Sequence, residues 1–202
     1  MQARRSLPSR RSSSRSTSSR FASSLAIAVA LTLVPSAAHA IEGQHHLGLA
    51  PALGILVISD KSTTSTGAGG ALHYTYGLTD QFNLALEASS VVVAANQKEL
   101  PTSPHTRPTM VHQAAAGVSY VIDIFRWVPY LQLQGGAAML TGGTLDRALV
   151  LPTVSAGLGV DYQISRSMAV GVAGREHLFV SKLDTYPSYT TVLLRFELMW
   201  GY

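Results

Sequence analysis

The chain has no cysteine and little charge: 13% of its 202 residues are Asp, Glu, Lys or Arg, against about 25% in soluble domains. Without cysteine there is no disulfide scaffold, thiolate metal site, cysteine nucleophile or CxxC redox pair. Acidic residues are missing from one stretch in particular. Residues 1–40 hold six of the 15 Lys/Arg and none of the 11 Asp/Glu. The remaining 162 residues therefore carry nine Lys/Arg against 11 acids, a net of −2, although the chain as a whole is formally +4. The basic balance belongs to the leader, and the rest holds no basic footprint for nucleic acid. Residues 41–202 also lack an uncharged apolar run of 18 residues, so no helix of theirs is expected to span a bilayer. A helical period is missing as well.

The leader has the three parts of an export signal. Residues 1–20 are rich in Ser and Arg, residues 21–34 are largely apolar, and Ala38-His39-Ala40 is a small-x-small cleavage site. The apolar part is shorter than the roughly 20 residues of a membrane anchor. Arg10-Arg11 is followed by Ser12-Ser13-Ser14, not by the bulky residues expected after a twin arginine. The expectation is a general secretion signal over 1–40, cleaved after Ala40, and a mature domain over 41–202.

What the mature part does contain is alternation, the strand signature. At its end Val192, Leu194, Phe196, Leu198, Trp200 and Tyr202 share one face, with Thr191, Leu193, Arg195, Glu197, Met199 and Gly201 on the other. The same pattern recurs in Phe82-Leu84-Leu86-Ala88 against Asn83-Ala85-Glu87-Ser89. It recurs again in Leu131-Leu133 against Tyr130-Gln132-Gln134, and in Val154 to Tyr162 against Thr153 to Asp161. Eight such runs are expected, at 44–58, 67–78, 81–95, 110–123, 129–141, 150–163, 168–180 and 188–202. Their connections alternate between short turns (78–80, 123–128, 165–167) and longer polar loops (59–66, 96–109, 142–149, 181–187). Pro101, Pro104 and Pro108 bar the longest loop from ladder pairing. Eight strands with short turns at one end and longer loops at the other predict an antiparallel up-and-down transmembrane β-barrel.

A soluble eight-stranded cup would be apolar inside and polar outside. Here the less apolar face is small: Gly48, Ala50, Ala52 and Gly54; Ala115, Gly117 and Ser119; Gly157 and Gly159; Ala169, Gly171 and Ala173. Small residues suit the cramped interior of eight strands and make a poor solvated surface. The face with Leu, Val, Ile, Tyr and Trp is therefore expected to meet lipid. Phe82, Tyr120, Trp127, Tyr162, Trp200 and Tyr202 fall at the short-turn ends, as an interfacial aromatic girdle would.

These features resemble the superfamily of small eight-stranded outer-membrane barrels of the OmpA/OmpX/OmpW kind, over the whole of 41–202. The ending Leu194-Arg195-Phe196-Glu197-Leu198-Met199-Trp200-Gly201-Tyr202 is similar to the signal read by the outer-membrane barrel assembly machinery, with Phe196, Leu198, Trp200 and Tyr202 as its alternating residues. Val128-Pro129-Tyr130-Leu131 with Gly135-Gly136, and residues 157–162, look like phrases of the same family. The resemblance implies export to the outer membrane of a Gram-negative-type bacterium. It also implies periplasmic chaperones and the assembly machinery as partners, and contact with outer-membrane lipid and lipopolysaccharide. Fold markers carry no activity with them.

By parity Glu87, Arg175, His177, Arg195 and Glu197 face the lumen, as does His73. Counted from the short-turn ends, the two glutamates stand about five to six residues up and the two arginines about seven, which at roughly 3.3 Å per residue are similar heights. One paired lumen cluster of Glu87, Arg175, Arg195, Glu197 and His177 is expected, because a buried charge must be paired. A deacylase acting on lipid A would need a Ser–His–acid set. The candidates Ser181, His177 and Glu176 fail on parity, since Glu176 faces the other way. His45-His46, His105 and His112 have no zinc spacing with a third ligand. No helix follows Gly67-Ala68-Gly69-Gly70, so it is not a phosphate loop. No catalytic, metal or cofactor site is expected. The sequence favours a non-enzymatic barrel with a packed or very narrow lumen, serving envelope structure, surface interaction or slow passage of small solutes. An OmpW-like channel for small hydrophobic solutes is the first alternative, for which Leu56, Ile58 and Phe179 are the inward apolar candidates. A lipid-A-modifying enzyme is the second.

Overall fold

A computed structural model describes residues 42–59, 63–94, 107–122 and 124–201. The expected leader and Tyr202 of the expected assembly signal lie outside the described residues. Eight strands follow one another: β1 (His45–Ile58), β2 (Thr63–Gly77), β3 (Phe82–Ala94), β4 (Met110–Val121), β5 (Trp127–Thr141), β6 (Leu149–Ser165), β7 (Met168–Phe179) and β8 (Tyr189–Trp200). Each pairs antiparallel with the next, and β1 pairs with β8 to close the barrel. Closure leaves no open sheet edge, as hydrocarbon requires.

Several boundaries differ from the expectation. The second strand starts at Thr63 rather than 67, because Thr63-Thr64-Ser65-Thr66 lacks apolar alternation although its threonines suit a strand. The β4–β5 connection is tighter than 123–128: Ile124 bridges Trp127 around Phe125-Arg126. Phe125 takes a left-handed φ of 59° there, a conformation that costs a residue with a Cβ about 1–2 kcal/mol. The sixth strand runs to Ser165 through an irregularity at Gln163/Ser165. The last strand spans Tyr189–Trp200 rather than 188–202.

Pro51 lies inside β1. It pairs with Gly70 on one side, but the ladder to β8 passes from Leu49↔Phe196 to Ala52↔Leu193. Proline has no N–H to give, so the closing seam is interrupted at this point without a change of register.

The two faces separate as the alternation predicts. Outward residues are apolar and exposed, for example Leu49 at 64%, Leu158 at 64% and Val172 at 51%. An exterior of this kind over all eight strands is suited to hydrocarbon, not water. At the short-turn end aromatic rings pair across strands: Phe82 with Tyr120 at 5.2 Å, Trp127 with Tyr162 at 4.9 Å, and Trp200 stacked on His45 at 5.5 Å. Among the described residues no helix is long and apolar enough to cross a membrane, which says nothing of the strands.

Candidate functional site

The interior of the barrel is filled in layers. At the short-turn end lies a polar recess of about 60 Å³, lined by Gln44, His46, Asn83, Ser119 and Gln163 among others. That is room for a few water molecules.

A charged layer forms the floor of this recess. Arg195, on β8, donates to Glu197 and to the hydroxyl of Tyr130, and its Nη1 lies 3.2 Å from Asp161 Oδ2. Its guanidinium carbon stands 4.7 Å above the Tyr130 ring. Glu197 is held on both oxygens: His46 Nδ1 lies 3.1 Å from Oε2 and His73 Nε2 lies 2.9 Å from Oε1. The register explains this grouping, since Glu197, Gly48, His73 and Glu87 are consecutive cross-strand partners over β8, β1, β2 and β3. Arg175, on β7, pairs with Glu87, and Gln132 Oε1 accepts from its Nε at 3.2 Å and Nη2 at 3.0 Å. Arg175, Arg195 and Glu197 are each at most 4% exposed. At that depth every charge needs such partners to offset its lost hydration.

Small residues make room for these groups. A Cβ at Gly48 would stand 2.3 Å from His73 Nε2, one at Gly157 would stand 2.6 Å from Arg175 Cγ, and one at Gly159 would stand 2.4 Å from the Tyr130 hydroxyl. Each of these glycines is the direct cross-strand partner of the side chain it accommodates.

Above the charges lies a polar layer containing His177. Its Nδ1 is 2.7 Å from Gln113 Nε2, its Nε2 is 3.0 Å from Thr191 Oγ1, and its ring stacks on Tyr189 at 5.4 Å. His177 was expected within the ion-pair cluster. It has no ion pair among the described residues, because its register partners are Ser155 and Tyr189 rather than an acid. The four charges of the expected cluster are arranged as two neighbouring pairs, Glu87–Arg175 and Glu197–Arg195. Asp161 adds a third carboxylate on the Arg195 side. Parity alone put Asp161, Tyr130 and Gln132 on the inner face. Only the register shows that they meet the arginines.

The loop end is closed by an apolar layer: Leu56, Val91, Leu140, Phe179, Tyr186 and Leu193, all at most 2% exposed. Leu56, Ile58 and Phe179 are thus not the only inward apolar residues, and the others pack directly on them. Tyr186 enters from the β7–β8 connection and meets Phe179 edge-on at 6.1 Å.

The remaining candidates are dispersed. Glu176 faces outward and accepts from Thr190 Oγ1 at 2.5 Å, while Ser181 is exposed beyond the end of β7. His45 and His46 point to opposite faces, His45 to the Tyr74 hydroxyl at 2.7 Å and His46 to the lumen. His105 lies outside the described residues. Among the described residues no three His, Asp or Glu side chains converge as a metal site would need.

No family profile and no curated protein matches the chain in sequence. Solved structures match its fold. Neisserial surface protein A is 12% identical, with a TM-score of 0.57 over 80% of this chain and 100% of that one. The attachment invasion locus protein Ail of Yersinia pestis is 13% identical, with a TM-score of 0.52 over 79% of this chain and 100% of that one. The outer membrane protein OprG of Pseudomonas aeruginosa is 11% identical, with a TM-score of 0.51 over 79% and 97%. At such identities the likeness is one of fold, that of the small outer-membrane barrel.

Proposed function

We propose that the chain is an integral outer-membrane barrel of a Gram-negative-type bacterium, non-enzymatic and closed, which serves envelope structure and surface interaction. The observation that carries this reading is the layered lumen. Ion pairs and hydrogen bonds bridge β2, β3, β5, β6, β7 and β8 near the short-turn end, and a packed apolar layer closes the loop end. A lumen filled in this way would make any solute passage slow. An OmpW-like route for hydrophobic solutes would need an opening in the apolar layer, where the side chains instead pack on one another. A lipid-A deacylase would need His177 between a nucleophile and an acid, but opposite the Thr191 hydroxyl its other nitrogen meets the amide of Gln113 and not a carboxylate.

Export through the leader 1–40, passage with periplasmic chaperones, and recognition of Phe196, Leu198, Trp200 and Tyr202 by the assembly machinery belong to the same proposal. The lipid-facing placement of Phe196, Leu198 and Trp200 supports it. Expression of the full chain in a Gram-negative host tests it. The protein should fractionate with the outer membrane and migrate faster unheated than boiled. Purified barrel in liposomes should leave swelling in small sugars at the protein-free rate. Recovery from the cytosol would remove the localisation, and rapid swelling would remove the closed lumen.

A further inference from the structure

The polar recess at the short-turn end carries more negative than positive charge. Of its lining residues only Arg195 is a guanidinium, whereas Asp161 and Glu197 are both carboxylates. The one guanidinium is shared between them, with Nη2 on Glu197 and Nη1 3.2 Å from Asp161 Oδ2. Arg175 does not make up the difference, because it pairs with Glu87. The imidazoles of His46 and His73 both lie on Glu197, not on Asp161. The rim adds no surplus of either sign. Among the described residues of this end, exposed Arg126 and Arg166 are matched in number by exposed Glu42 and Asp80, and none of the four lines the recess.

One oxygen of Asp161 is unmatched. The residue is 7% exposed, and among the described residues its Oδ1 has no hydrogen-bond partner. Buried polar atoms of folded proteins are met by a donor or acceptor, and a buried charge needs a partner to offset its lost hydration. Gly171, the cross-strand partner on β7, makes room for this carboxylate, since a Cβ there would collide with Oδ1. Gln44, Asn83 and Gln163 also line the recess, and their side chains make no hydrogen bond among the described residues. Each offers an amide oxygen as a neutral acceptor. The volume of about 60 Å³ admits only a small head group. A calcium-type ion takes about six to eight oxygen ligands, and among the described residues no three His, Asp or Glu side chains converge to supply them. A primary ammonium group brings one positive charge and three N–H donors in a compact head.

We propose that the recess binds a primary ammonium group, with Asp161 Oδ1 as its charged acceptor and the amide oxygens of Gln44, Asn83 and Gln163 as neutral ones. The carbon chain of the amine leaves through the short-turn mouth. The site stands on the geometry of the lumen; that this mouth opens to the periplasm rests on the outer-membrane reading above.

The test is solution NMR of the folded, detergent-solubilised full chain. It is titrated separately with n-butylammonium chloride, tetramethylammonium chloride and potassium chloride. The side-chain amide signals of Asn83 and Gln163 are followed with the backbone amide signal of Asp161. Butylammonium should shift them saturably. Tetramethylammonium, which has the charge but no N–H, and potassium should give no saturable shift at the same concentrations. Asp161→Asn should weaken butylammonium binding about tenfold or more, a difference of about 1.4 kcal/mol, whereas Asp80→Asn, in an exposed turn, should leave it unchanged. No saturable shift with butylammonium, an equal response to tetramethylammonium or potassium, or unchanged binding by Asp161→Asn would each overturn the site. The comparison of the three cations uses the wild-type chain alone, so it decides the matter even where Asp161→Asn does not fold. Heat-modifiable migration is read on every sample, so failure of the ammonium site is distinguished from failure of the barrel reading.

Discussion

At Gly157 a methyl group would stand 2.6 Å from Arg175 Cγ, and Arg175 cannot move aside without leaving Glu87 and Gln132. Gly157→Ala should therefore destabilise the barrel by about 1–3 kcal/mol, as overpacking does. Gly174, whose added Cβ meets nothing within 4 Å, serves as the control, and Gly174→Ala should be close to neutral. Urea unfolding in phospholipid vesicles, followed by tryptophan fluorescence, separates the two. The same arginine makes a second prediction. Glu87→Ala strands a buried guanidinium and should cost about 3–5 kcal/mol, while replacing Glu87 and Arg175 together by apolar residues of similar size should cost much less. Equal losses for the single and double changes would show that the ion pair is not what governs this layer. At this scale the alternation told which residues face inward, including His73, Glu87, Arg175, His177, Arg195 and Glu197. It could not tell which of them touch. His177 shares parity with the arginines yet bonds Gln113 and Thr191. Asp161 stood on the inner face without any sign that it reaches Arg195.

The last strand shows what an element contributes. In β8 the inward Arg195 and Glu197 hold the charged layer, while the outward Phe196, at 47% exposed, meets lipid. A charge there belongs to the lipid face, so Phe196→Arg should cost up to about 2–4 kcal/mol and slow folding into vesicles. Normal heat-modifiable folding of this variant would contradict the outward assignment. Strands such as β3 and β8 were legible because large apolar side chains alternate with polar or small ones. The start of β2 was not, since Thr64 and Thr66 on the outer face match the polarity of a loop. The tight β4–β5 turn was hidden for a related reason. Phe125 takes the left-handed conformation without the glycine or asparagine that would announce it.

For the whole molecule, eight strands and a filled interior set both orientation and permeability. The absence of cysteine makes orientation simple to measure. Lys182→Cys should react with a membrane-impermeant maleimide on intact cells, whereas Arg166→Cys should react only after lysis. The reverse pattern would invert the barrel. The number of strands and the lipid-facing side were readable from parity and loop lengths. The layering of the lumen was not, because it depends on shear between strands, which brings Val91, Leu140 and Phe179 to one end and Arg195 with Asp161 to the other.

The closed lumen is the central claim, and single-channel recording in planar bilayers tests it most directly. With the folded, heat-modifiable barrel inserted, a lumen bridged by Arg175–Glu87 and Arg195–Asp161 and capped by Phe179 and Tyr186 should pass no resolvable current steps. Stable, reproducible open-channel steps from the wild-type protein would contradict it.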